Sequence, residues 1–470
     1  MPINTRHPDF EAAHGDWQTL RHVMTGEKAV KAAGELYLPK LGGQADYEYQ
    51  AYKKRALFYG ACPRTLEALA GAVCRKDPTL RGPEEFVKKY SSDITGTGTT
   101  MASLVGEIVR EVLTTGTEGI LVEYNGLRPF LSHYCAENVT NMLPDGTVVL
   151  SETRMIPDPV DRYLLTSQVN YRELLFVEGK PVSRVWEPDA KGNYVAGEDV
   201  SLEFRGTPLT TIPFALATIA NLPLLPLAQA NLSHYLTSAD LENGLHWGGV
   251  FTPWIAFGGS IPDDTVLKLG SSTAWVLPTG SQVGMLEISG NALAALEARL
   301  LAKQDLMAAL GARLLLATKK TAETAETARI NAGGEGATLA IVVGAIESAL
   351  TKALKMLAQW DGIKDVSDIR IELNRDFVDA SLTAQDLTAY LATYQAGGMS
   401  LDAFLSLLQG GELLPVGRTI EEEKALIDAE GAGGLDGGPV PFSPTPKKTK
   451  KTVTVRKNAD GTTTADMTEE

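Results

Sequence analysis

Cysteine is scarce in this chain. Cys62, Cys74 and Cys135 are the only three in 470 residues, and they stand far apart with no CxxC pair. That excludes a zinc ribbon or a disulfide framework as the organising device, and leaves three small hydrophobes. Histidine is thin as well, six in all, with no HExxH or related spacing. His133 and Cys135 lie two apart on an expected strand and can share a face, but a metal site needs more ligands than that, and none is expected. Long hydrophobic runs are missing. The most apolar stretch, residues 212–227, contains Pro213, Pro223 and Pro226 and is too short and too broken to span a bilayer as a helix. The first ten residues are polar and lack a signal-peptide apolar region. The expectation is a soluble protein made inside the cell, without a membrane partner.

Signatures of chemistry are absent too. No GxSxG elbow, P-loop or kinase signature occurs. The Gly-rich stretch 95–100 (TGTGTT) precedes a helix, a setting that can hold phosphate, but no Lys follows in the Walker position and no clear strand precedes it. Thr99 or Thr100 capping the next helix is the simpler account. Asp263 and Asp264 read as a turn or helix start, Glu421, Glu422 and Glu423 as a solvated first turn, and Asp376 as a loop cap at a strand end rather than a metal carboxylate. No catalytic residue and no cofactor is assigned, and the chain is not expected to be an enzyme.

What is present is an ordinary composition, 44% hydrophobic and 21% charged, in a length that favours two or more substructures. The formal net charge is −15. A protein that grips duplex DNA is usually basic, so this acidity argues against a sequence reader. It suits a passage through which DNA slides, because every neutralised phosphate adds affinity.

Periodicity supplies the elements of an α+β chain. Residues 46–59 carry Tyr49, Tyr52, Ala56 and Tyr59 at helical spacing, and residues 64–73 resume a helix after Pro63. Residues 34–39 read as a short extended piece. Residues 101–113 put Met101, Leu104, Val105, Ile108, Val109, Val112 and Leu113 on one stripe. Strands at 119–124 and 128–134 flank the hairpin signal Asn125-Gly126, and residues 146–214 remain rich in strand candidates. Helical spacing covers 224–247 and 291–317, on either side of a Gly- and Pro-rich insert with short strand candidates at 254–257 and 273–277. Residues 318–336 interrupt the pattern with Gly333, Gly334 and Gly336, and 337–360 restore it. A strand at 368–373, a helix pair over 382–408 and an acidic helix at 419–430 follow. From 431 onward Gly, Pro, Thr and Lys dominate, and no regular structure is expected.

This order of elements resembles the portal proteins of tailed bacteriophages, in particular a portal-like group filed under an uncharacterised domain. Local stretches carry the likeness: residues 52–78 (YKKRALFYGACPRTLEALAGAVCRKDP), the strand, hairpin, Arg128-Pro-Phe130 and Tyr134-x-Ala-Glu-Asn138 of 119–142, Thr252-Pro253, Ala274-Trp-Val-Leu-Pro278, residues 284–290, Glu326-Thr-Ala328, Asp376-Phe377 and Gly398-Met-Ser400. The family often has Trp where this chain has Met142. The likeness spans about residues 5–430.

The resemblance implies a portal fold assembled as a ring, usually of twelve subunits, at one capsid vertex of a virion, built in the host cytoplasm. It passes double-stranded DNA during packaging and ejection. It docks the large terminase subunit and then a head–tail adaptor, and it meets the major capsid protein, with a scaffold as a further candidate partner. On that template residues 1–223 are wing, 224–249 and 288–317 the two stem helices, and 250–287 the clip. Residues 318–336 are the tunnel loop, 337–380 a wing helix and strand, 381–430 a helical crown and 431–470 a flexible tail. Lys319, Lys320, Arg329 and Asn331 would face DNA from a loop that its glycines keep mobile; a plain exposed connector is the alternative. Trp254, Phe257 and Trp275 would be clip contacts or, equally, core packing. Lys447, Lys448, Lys450 and Lys451 would lie against packaged DNA or be a solvated tail. Two other readings compete: another phage head structural protein, which would lack paired stem helices around a short insert, and a cytosolic α+β enzyme.

Overall fold

The computed structural model describes residues 2–158, 161–204, 206–249, 252–259, 275, 277, 279–286, 290–315, 325–375, 377, 384–410, 413–414, 418–431, 451–457 and 463–469. The chain is a mixed α+β protein in two units, Met1–Val378 and Asp379–Glu470.

The first unit opens with α1 (Pro8–Thr25), α2 (Glu27–Ala32), α3 (Asp46–Arg55) and α4 (Ala61–Val73). β1 (Thr79–Arg81), α5 (Glu84–Ser92) and α6 (Met101–Thr115) follow. The stripe expected on α6 is buried along its whole length. Thr100 caps that helix, its hydroxyl accepting from the Ser103 amide at 3.2 Å, and Gly116 closes it at φ +74°, a left-handed conformation that glycine adopts without strain. The Gly-rich stretch before it is a turn in which Asp93 Oδ1 accepts from the Gly96 and Gly98 amides at 2.8 and 3.0 Å.

β2 (Thr117–Tyr124) and β3 (Pro129–Cys135) form the hairpin that Asn125-Gly126 announces, with Asn125 Oδ1 accepting from the Leu127 and Arg128 amides. β4 (Val139–Met142), β5 (Val148–Pro157), β6 (Leu165–Val177), β7 (Lys180–Pro188) and β8 (Tyr194–Ser201) make a five-stranded antiparallel sheet in chain order. A small pair, β9 (Glu203–Phe204) and β10 (Thr207–Pro208), leads to β11 (Phe214–Thr218), which returns to the other side of β2 and gives a second sheet in the order β11–β2–β3. Val148, Leu150 and Leu174 of the large sheet pack against Leu121 and Phe214 of the smaller one.

α7 (Leu225–Gly249), β12 (Thr252–Ala256), β13 (Gln282–Leu286) and α8 (Gly290–Leu315) come next, then α9 (Ala325–Trp360) and β14 (Arg370–Glu372). α9 is the spine of the core. Val342, Val343, Ile346, Leu350, Ala353, Leu354 and Leu357 are fully buried at three- and four-residue steps, and the helix lies on β11, β2 and α6. β14 pairs antiparallel with β1, so residues 79–81 meet 370–372.

The second unit holds α10 (Ala384–Gln395), α11 (Leu401–Gly410), α12 (Ile420–Gly431) and a hairpin of β15 (Lys451–Lys457) with β16 (Thr463–Glu469). Tyr394 stacks on Phe404 at 5.1 Å. The acidic first turn of α12 is closed by a reciprocal cap, in which the Thr419 hydroxyl accepts from the Glu422 amide and Glu422 Oε2 accepts from the Thr419 amide.

Three expectations are corrected. Residues 34–36 form a single 3₁₀ turn, not an extended piece. The helix expected from 337 begins at Ala325, so Arg329, Asn331 and the three glycines stand on helical backbone. Alanine and glutamate in 325–335 favour a helix, and a helix already anchored by a buried spine outweighs about 1 kcal/mol per glycine. The insert also has β13 at 282–286, and the strand expected at 273–277 lies largely outside the described residues. The tail is not wholly irregular, because the alternating TVTV of 452–455 pairs with β16. Asp263, Asp264 and Asp376 lie outside the described residues. Among the described residues, no helix is long and apolar enough to cross a membrane.

Candidate functional site

The two helices around the insert are the element pair that the sequence singles out. α7 has 25 residues and α8 has 26, lengths of about 37–39 Å at 1.5 Å per residue. They run antiparallel. Near one end Gly244 of α7 faces Leu293 of α8 so closely that a Cβ there would lie 2.7 Å from a Leu293 methyl carbon. Farther along, Lys303 donates to the Ser233 carbonyl at 2.7 Å and to the Thr237 hydroxyl at 2.6 Å. Next to it Gln304 Nε2 lies 3.3 Å from His234 Nε2. Burial pushes the Lys303 ammonium below its ordinary pKa, and the Arg299 charge adds to the effect.

α7 is also fixed to the body. Tyr52 donates to Asp240 at 2.6 Å, and Ser238 Oγ accepts from the Leu57 amide and donates to the Leu57 carbonyl. Gly311 of α8 sits against Thr65, with 3.0 Å between a built Cβ and the threonine hydroxyl. The Cys62 amide donates to Asn231 Oδ1 at 3.4 Å nearer the start of α7, so the body holds α7 from its first turns as far as Asp240 and α8 near its end, and β12–β13 stands at the other end. In that hairpin Trp254 lies opposite Gly284, and its indole occupies the space a side chain at 284 would need, 2.6 Å from a built Cβ. Trp254 remains 44% exposed, so it covers its hairpin without being buried by it. Phe257 follows β12 and is half-buried, and Trp275 is half-buried.

Large apolar side chains stay exposed on both helices: Leu236, Leu245 and Trp247 on α7, Leu301 and Leu306 on α8. At 100° per residue, Leu301 and Leu306 are about 140° apart and flank the face of α8 that carries Leu293, Lys303 and Gln304. Each flank thus offers an unshielded leucine.

His234 gives this pair a pH dependence. It is 1% exposed, its ring lies tilted at 5.6 Å from that of Tyr59, and its pKa is lowered from 6.5, first by burial and then by the Lys303 charge. A depressed histidine contributes stability that is full above its unfolded value and is lost as pH falls through the folded one. Thermal stability should therefore drop on acidification below about pH 6.5, and His234→Gln should flatten that slope in scanning calorimetry. An unchanged slope would remove His234 as the cause.

Other polar clusters lie outside this pair. A shallow cleft of about 670 Å³ between α9 and β14 is lined by Glu347, Arg370, Glu372 and Arg375, whose charges pair with one another: Arg375 with Glu347 at 2.5 Å, Arg370 with Glu372 at 2.9 Å. His133 and Cys135 do share surroundings on β3, and the fold brings Glu107 and Glu111 of α6 and Glu118 of β2 to them. Sequence reading missed those carboxylates, because Glu118 begins a strand whose apolar run hides it. Of the residues expected to face DNA, Arg329 and Asn331 lie on the α9 backbone, and Lys319 and Lys320 lie outside the described residues. Lys451 opens β15, and Lys447, Lys448 and Lys450 lie outside the described residues.

Comparison with known proteins gives limited likeness. The family profile described as "Domain of unknown function (DUF4055)" matches residues 223–361, which hold α7, β12, β13, α8 and α9. No curated protein matches the chain. Among solved structures, a chain of the "Virion of native gene transfer agent (GTA) particle" is 14% identical, with a TM-score of 0.40, over 81% of this chain and 98% of that one. A chain of the "Neck of empty GTA particle computed with C6 symmetry" is 15% identical, with a TM-score of 0.42, over 78% and 95%. One of the "Neck of native GTA particle computed with C12 symmetry" is 14% identical, with a TM-score of 0.41, over 75% and 90%.

Proposed function

We propose that the chain is the subunit of a portal ring, a non-enzymatic channel at one capsid vertex through which double-stranded DNA is packaged and ejected. The observation that carries this reading is the antiparallel α7–α8 pair, anchored to the body at one end and carrying the β12–β13 hairpin at the other, with exposed leucines on both flanks. A subunit with two neighbours needs two sticky flanks, and a closed ring satisfies both without leaving a free end. In this reading α7 and α8 are the stem and the insert between them is the clip, which docks the terminase and later the adaptor. Residues 318–336, including the start of α9, run beside DNA, and α10 to α12 form the crown. Each cation near the channel is repeated by every subunit, so a few lysines suffice in a chain of net charge −15.

Negative-stain electron microscopy of the purified chain tests the ring. Rings with a central hole are expected; a monodisperse monomer at every concentration would overturn the reading. In a packaging assay, Lys319→Gln with Lys320→Gln should lower DNA uptake while rings persist, and unchanged uptake would take the tunnel role away from those two lysines.

A further inference from the structure

We propose that Glu111, Glu118 and Cys135 form a binding site for a thiophilic divalent metal ion of the zinc class. They come from three elements, α6, β2 and β3, and one ligand atom of each lies within 4.8 Å of the other two. The second observation is Glu118 itself. Its side chain is 0% exposed, His133 Nδ1 engages Oε1 at 2.7 Å, and Oε2 has no hydrogen-bond partner. A buried carboxylate oxygen without a partner costs free energy until a proton or a cation meets it.

The charge balance around it points to a cation. Glu107, Glu111, Glu118 and Glu137 gather here. Arg21 bonds Glu111 and Glu137, Arg110 acts on Glu107 by its charge alone, and His133 and His14 are titratable. Arg21 is already shared, with Nη1 and Nη2 on Glu111 at 3.0 and 2.5 Å and Nε on Glu137 at 2.8 Å. Burial works against its charge, but the bonds to Glu137 and Glu111 outweigh that and raise its pKa. Its hydrogen bonds go to Glu111 and Glu137, and only its charge reaches Glu118.

The ligand chemistry selects the ion. A thiolate with two carboxylates prefers zinc or cobalt over magnesium or calcium. Metal–ligand distances of about 2.0–2.3 Å place neighbouring tetrahedral ligands about 3.3–3.8 Å apart, so side-chain rotations of about 1 Å close the site. Three protein ligands leave a fourth position for solvent, and Cys135 is half-buried, which gives the ion a way in. On binding, the thiol proton leaves to solvent and the sulfur bonds the metal. Glu111 gives one oxygen to the ion and keeps the other for Arg21. His133, on Glu118 and 3.3 Å from Glu107, is the outer residue that orients the carboxylate. The ion would join three elements of the first unit and is independent of ring formation.

Cobalt(II) titration of the full chain tests this. One equivalent per chain should produce thiolate-to-cobalt charge-transfer absorption that zinc removes, and zinc should raise the melting temperature until a chelator reverses it. Cys135→Ser should abolish the absorption and weaken zinc at least about tenfold, and Glu118→Gln should weaken zinc similarly. Cys74→Ser, at an exposed thiol, should change neither. No charge-transfer absorption in the wild type, or the same absorption in Cys135→Ser, overturns the site and shows that a proton satisfies Glu118. The Cys135→Ser comparison stands even if Glu118→Gln fails to fold.

Discussion

If the proposed ring forms, Leu301→Asp combined with Leu306→Asp is expected to abolish its assembly while leaving the subunit folded. The two leucines are 61% and 51% exposed, so neither contributes much to the fold of the isolated chain. Surface substitutions of this kind usually change stability by only about 0.5 kcal/mol. Assembly is different. Burying the exposed part of each leucine between subunits supplies about 1–2 kcal/mol, and an aspartate in the same place must instead lose its hydration without a partner. Because the two side chains flank opposite sides of the α7-facing surface, both interfaces of every subunit are struck. A combined loss of about 3–4 kcal/mol per interface weakens each contact by a few hundredfold. Light scattering should then report a monomer with unchanged far-ultraviolet circular dichroism. Rings that survive the double substitution would show that the flanks of α8 do not join subunits.

Leu301 and Leu306 stand out only by their exposure, but the helix that carries them is legible from periodicity, where the sequence is most informative. α6, α7 and α8 can be read from apolar steps because each packs one stripe, and Asn125-Gly126 announces its hairpin because the turn chemistry is local. What could not be read depends on distant partners. β11 joins the far edge of β2 almost a hundred residues later, with Phe214 opposite Leu121, and β1 finds β14 at Leu80 and Ile371. The strand at 368–373 is legible by itself, but nothing local names the distant partner of such a short strand. The start of α9 was missed because Gly333, Gly334 and Gly336 read as a loop, although the helix is nucleated farther on by Val342 and Val343. Glu118 was missed for a related reason: a carboxylate declares its burial only when α6 and β3 are placed beside it.

Trp360→Ala is expected to give the largest loss of stability among single changes in the first unit. Trp360 ends the α9 spine, is 4% exposed, stacks near Tyr124 at the end of β2 and donates from Nε1 to the Glu203 carbonyl at 3.0 Å. It therefore joins the long helix to the strands on both sides of it. Truncation removes a large buried ring, leaves a cavity and orphans a carbonyl, for about 3–5 kcal/mol in total. Trp360→Phe keeps most of the apolar contact and loses the hydrogen bond, so about 1–2 kcal/mol is expected. Thermal unfolding at a fixed scan rate separates the two: a fall of several degrees for alanine and a fraction of that for phenylalanine. Equal falls would assign the effect to the hydrogen bond alone. No fall for alanine would mean that α9 is held without its last residue, by the seven fully buried side chains from Val342 to Leu357.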